Sequence, residues 1–95
     1  MDPLLEEAEA LQNLLISVAT GGSETNAEYT RLRQTLLAAP LIDAYVPRFI
    51  RTCRSVAQFW QFIKYEYGTY AERREFIWDG FRPLMDALEK GVAAP

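Results

Sequence analysis

The chain contains no histidine. That removes the commonest general base near neutral pH and the commonest nitrogen ligand for metals. It contains one cysteine, Cys53, so no disulfide can close within it and nothing points to an oxidising compartment. A lone thiol without histidine lacks the partner of a Cys–His nucleophile. It also cannot supply the usual four nitrogen and sulfur ligands of a zinc site. No glycine-rich phosphate loop occurs; Gly21-Gly22 reads as a helix stop. No run approaches the roughly 18 apolar residues of a membrane span. The stretch 4–18 is broken by Glu6, Glu7 and Glu9 and has no basic start, so it does not read as a signal peptide. Together these absences predict a soluble, cytoplasmic, non-enzymatic protein without metal or cofactor.

Positive charge is missing from the first 30 residues, which carry six carboxylates: Asp2, Glu6, Glu7, Glu9, Glu24 and Glu28. Residues 31–64 reverse this, with Arg31, Arg33, Arg48, Arg51, Arg54 and Lys64 against Asp43 alone. The remainder carries six acids and four bases, and the net charge is −3. A compact fold of such a chain can present an acidic face (Glu6, Glu7, Glu9) and a basic face (Arg31, Arg33, Arg48, Arg51, Arg54), through which copies dock head to tail. The mildly acidic balance argues against a dedicated nucleic-acid binder.

Ninety-five residues, 49% of them apolar, suit one domain with a single core. We expect that domain over 1–91, with 92–95 as a frayed tail. The dominant period is helical. Asp2 is a plausible N-cap with Pro3 in the first turn, and Leu4, Ala8, Leu11, Leu15 and Val18 share a stripe. Thr25-Asn26-Ala27-Glu28, Ser55-Val56-Ala57-Gln58 and Thr69-Tyr70-Ala71-Glu72 fit the capping-box pattern and open three further helices. Their inner faces are Tyr29, Leu32 and Leu36; Val56, Phe59, Trp60, Ile63 and Tyr67; and Tyr70, Ile77, Phe81, Leu84 and Leu88. Pro40 and Pro47 cut the intervening segment into a turn at 41–45 and a short helix at 48–53. Gly68 is the expected C-cap of the third long helix, and Gly80 and Pro83 should bend or break the last. The fold class is therefore all-α, a compact six-helix bundle with two very short helices.

Candidate chemistry is sparse. Arg51 and Arg54 flank Cys53 and could lower its pKa; a small, half-buried residue is the plainer reading. Carboxylate pairs such as Glu6/Glu9 and Glu72/Glu75 read as solvated helix faces, because catalytic pairs need a cleft to split their pKa values. Arg48, Arg51 and Arg54 recur every third residue and would form a ridge on a helix. The ridge suits an acidic protein surface, or alternatively nucleic-acid phosphates, or it pairs within the chain with Glu28 or Asp43. Phe62, Tyr65, Phe76, Trp78 and Met85 lie off the main stripes and are either extra core or an exposed patch.

Tyr29-Thr30-Arg31-Leu32-Arg33, Phe49-Ile50-Arg51-Thr52-Cys53-Arg54, Gln58-Phe59-Trp60-Gln61-Phe62-Ile63-Lys64 and Thr69-Tyr70-Ala71-Glu72-Arg73-Arg74-Glu75-Phe76-Ile77 carry a further signal. This wording, over about 29–89, resembles helical modules attached to effectors of bacterial anti-phage (abortive-infection) systems. The six-helix plan is similar to CARD-like death-fold and effector-associated domains. The resemblance implies an adaptor that recruits or clusters a protease- or gasdermin-type death effector by docking like with like. It brings no catalytic residue.

Overall fold

Polar caps and glycines set the helix boundaries. In the computed structural model, residues 3–91 are described; Asp2 as an N-cap and the tail at 92–95 lie outside the described residues. Among the described residues there are six helices and no strand: α1 (Pro3–Ala19), α2 (Asn26–Leu37), a 3₁₀ helix (Pro40–Tyr45), α3 (Arg48–Thr52), α4 (Val56–Glu66) and α5 (Tyr70–Glu89). This is the expected all-α bundle, with the 3₁₀ helix and α3 as the two short pieces.

Thr25, Ser55 and Thr69 each accept a hydrogen bond from the backbone N–H three residues on, at 3.3, 3.1 and 3.2 Å. Each satisfies an amide that has no partner inside the helix. The reciprocal arms differ from the capping-box pattern. Glu72 accepts from the Thr69 hydroxyl at 2.8 Å. The Gln58 side chain accepts from the Arg54 N–H, one residue before the cap, at 2.7 Å. The Glu28 carboxylate turns instead to Arg31, at 2.7 Å.

Helix α1 stops in a left-handed turn. Gly21 has φ +92° and the Gly22 N–H donates to the Ser17 carbonyl at 2.6 Å, the Schellman arrangement. A Cβ on Gly22 would sit 2.8 Å from that same carbonyl oxygen, so both glycines are needed, for different reasons. Gly68 does not play this part. The C-cap of α4 is Tyr67, at φ −134°, with its N–H bonded to Ile63. The chain leaves α4 extended, so no left-handed residue is required.

Helix α1 lies against α5, α2 and α4. Leu11, Leu15, Tyr29, Leu36, Phe59, Ile63, Ile77, Phe81 and Leu84 are fully buried between them. The radius of gyration, 12.8 Å, is about that of a close-packed chain of this length. Phe49 on α3 is the hub of an aromatic cluster, with ring centroids 5.8, 5.2 and 6.0 Å from Phe59, Phe76 and Phe81. Phe62, Phe76 and Met85, off the main stripes, pack against this core, whereas Tyr65 and Trp78 are exposed. Tyr70 is also exposed, contrary to its stripe position, because its ring lies beside the Gly21 turn and an arginine on its own helix.

Helix α5 runs unbroken through Gly80 and Pro83, so the expected break does not occur. Pro83 sits on the exposed side, while Ile77, Phe81, Leu84 and Leu88 hold the inner face to the core on both sides of it. Gly80 serves close approach: a Cβ there would lie 2.7 Å from the Phe49 ring. Gly80→Ala should therefore lower unfolding stability in urea by up to about 2 kcal/mol. Overpacking against the fixed Phe49 ring outweighs the roughly 1 kcal/mol gained in helix propensity.

Candidate interaction surface

The five arginines of the expected basic face divide into three that work inside the fold and two that do not. Arg33 on α2 donates from Nε to the Ile50 carbonyl at 2.7 Å and from Nη2 to the Arg51 carbonyl at 3.0 Å. Helix α3 has five residues, so its last carbonyls have no donors within the helix. A guanidinium placed there supplies donors and complements the negative helix end. Arg51 donates from Nη2 to the Asp43 carboxylate and the Asp43 carbonyl, at 2.8 and 2.7 Å, tying α3 to the 3₁₀ helix. Arg31 bridges Glu28 at 2.7 Å and Glu7 at 3.3 Å, so one basic residue of α2 meets one acidic residue of α1 within the molecule. The hydrogen bond from Arg31 holds the Glu28 carboxyl below its usual range.

Arg48 and Arg54 are exposed, and their side chains reach no partner among the described residues. Arg54 lies beyond the end of α3, so a helical ridge of three arginines does not form. Its middle member is folded onto Asp43 and its last stands on the connector to α4. On α1, Glu6 and Glu9 are exposed without a partner among the described residues, and Glu7 is half-buried beside Arg31.

Cys53 is buried at the end of α3. Burial pushes its thiol up, outweighing the Thr52 hydrogen bond and the Arg33 charge, in line with the plainer reading of a structural residue rather than an activated thiol. Its carbonyl accepts a short hydrogen bond from the fully buried Tyr29 hydroxyl. Desolvation, reinforced by Cys53 and opposed by Arg33, pushes the Tyr29 hydroxyl up to about 12.

Arg73 on α5 is the buried charge that the sequence reading passed over. It donates from Nε to Tyr67 at 2.9 Å and from Nη1 to Ala19, the last residue of α1, at 3.1 Å. Trp60 and Tyr70 stack on its guanidinium at 5.3 and 5.6 Å. The signal was its position: an arginine three residues after Tyr70 and four before Ile77 stands on the apolar stripe of α5.

Two grooves share the α5 side of the molecule. One, of about 600 Å³, is lined by Pro47, Phe49, Phe62, Phe76, Gly80 and Pro83, with Arg48, Thr52 and Asp79 at its rim. A shallower trough of about 290 Å³ shares Phe76 and Asp79 with it and adds Tyr67, Glu72 and Glu75. A third groove, of about 710 Å³, runs along the Gly21–Glu24 turn and the start of α4, with Trp60 at one end. Among the described residues, no cluster of acidic or thiol side chains is placed to hold a metal ion, and no helix is long and apolar enough to cross a membrane.

No family model matches the chain, and neither does any solved structure. A protein of Methanobrevibacter olleyae described as "Probable 2' cyclic ADP-D-ribose synthase TcpO" is 35% identical to it over 75 residues. Those residues are 79% of this chain and 22% of that protein, so the chain spans under a quarter of its relative's length.

The buried polar contacts yield two expectations. Arg73→Lys should cost about 1–3 kcal/mol in thermal or urea unfolding, because one ammonium cannot reach both the Tyr67 and Ala19 carbonyls. Tyr29 ionises near pH 10 when unfolded and near 12 when folded, so its contribution is complete below pH 10 and is lost as the pH rises to 12. That loss should reach up to about 3 kcal/mol and disappear in Tyr29→Phe. Measuring both in a Cys53→Ala background removes the buried thiol from the same pH range.

Proposed function

We propose that the chain is a non-enzymatic protein–protein association module. It binds copies of itself or closely related helical domains, and so gathers or activates an effector in bacterial anti-phage defence. The observation that carries this reading is the division of the charges. Arg33, Arg51 and Arg73 are consumed in joining helices, whereas Arg48 and Arg54, and Glu6 and Glu9, remain exposed and unpaired among the described residues. Opposite charges left free on different elements suit a head-to-tail contact.

The resemblance of 29–89 to CARD-like effector-associated domains supports docking of like with like. The similarity to a small part of a probable 2' cyclic ADP-D-ribose synthase supports a modular unit that accompanies a larger effector. That effector could make a cyclic ADP-D-ribose, as that relative's name describes, or be of the protease or gasdermin type. Clustering raises the local concentration of such an effector when its carriers are crowded together.

An exposed ion pair contributes only up to about 1 kcal/mol, so the charged contact sets register and partner choice more than strength. Arg54→Glu should therefore weaken concentration-dependent light scattering and its salt sensitivity. Adding Glu6→Arg and Glu9→Arg to the same chain should restore both. Scattering that is the same in all three proteins would remove the charged contact from the model.

A further inference from the structure

We infer that Leu41 and Tyr45 of one copy fill the Phe49–Phe62–Phe76 groove of a second copy, so that two chains pair around a two-fold axis. This rests on the homotypic reading above and names a two-fold contact separate from the head-to-tail one of Arg54 with Glu6 and Glu9.

The groove and its occupant lie side by side on the chain. Leu41 and Tyr45 project from the 3₁₀ helix with 57% and 38% of their surface exposed, and neither enters its own core. Two residues after Tyr45, Pro47 begins the wall of the groove. When a projection and a recess neighbour each other in the chain, a two-fold rotation can let each copy fill the other and so close the assembly.

The chemistry of the recess matches an aromatic side chain that carries a donor. Its lining is largely phenylalanine (Phe49, Phe62 and Phe76), with Gly80 packed closely against the Phe49 ring. Pro83 has no N–H, so the Asp79 carbonyl at the rim lacks its helical i+4 donor. A tyrosine ring laid on this lining brings its hydroxyl to that rim, where the Asp79 carbonyl accepts a hydrogen bond; the Asp79 carboxylate is already paired with Arg82 at 3.0 Å. Charge agrees as well. Arg48, exposed and without a partner among the described residues, stands where the projection meets the groove. The acidic trough that continues from the groove carries Glu75, which likewise has none.

Sedimentation velocity over a concentration series tests the pairing. Wild type should populate a dimer. Leu41→Ser/Tyr45→Ser, which alters one mostly exposed and one partly exposed side chain, should weaken dimerisation by about tenfold or more, as does loss of an anchoring aromatic, with an unchanged far-UV spectrum. Thr52→Trp, which fills the rim, should weaken it similarly. An equimolar mixture of the two variants should recover a heterodimer, because one complete contact survives. If wild type self-associates and both variants match it, the groove contact is wrong and homotypic association stands. If wild type stays monomeric throughout, both readings fall. If both variants are monomeric and their mixture is too, the reciprocal geometry is wrong.

Discussion

Three helix ends converge on one guanidinium. Arg73 takes the last carbonyl of α1 and the C-cap carbonyl of α4 while sitting in the first turn of α5 between two aromatic rings. Carbonyls at helix ends have no partner within the helix, and a buried one without a donor is costly. Arginine suits the position because its fork is planar and always charged, and it reaches two acceptors at once. Arg33 does the same for the end of α3. The short helices are held this way because five or six residues cannot sustain a helix alone. Much of the positive charge is thus spent inside the fold, and what reaches solvent is a selected remainder.

Helix number, order and most boundaries were legible in the sequence because they rest on local chemistry. Proline at 40 and 47, the Thr25, Ser55 and Thr69 caps and the Gly21-Gly22 stop each act within four or five residues. The misreadings lie where distant segments decide. Gly80 looks like a helix breaker until Phe49 is seen to occupy its missing side chain's place. Tyr70 fits the apolar period but faces the α1 turn. Gly68 looks like a cap, yet the chain leaves α4 through Tyr67 in an extended conformation. Arg73 looks like surface charge because composition does not reveal which arginine will meet an orphaned carbonyl.

The candidate surface was legible in charge but not in shape. Separation of acids from bases along the chain was plain, and so was the short helix that carries Arg48 and Arg51. Pairing of Arg31 with Glu7 and of Arg51 with Asp43 needed the third dimension. So did the groove, whose walls come from the start of α3, the middle of α4 and the middle of α5. Phe62 and Phe76, left by the sequence as either extra core or an exposed patch, turn out to pack against the core while lining the groove.

The packing of α1 on α5 has a consequence for how the chain acquires its structure. The first and last helices share the largest internal contact, and Arg73 joins residues 54 positions apart. Such non-local pairing must close most of the chain into a loop before the contact rewards it, which slows folding relative to bundles built from neighbouring helices. During synthesis, the part of the α1 stripe that packs on α5 stays uncovered until α5 follows. The acidic side chains of α1 face solvent throughout that interval. Like charge on Glu6 and Glu9 opposes association of unfinished chains during that interval.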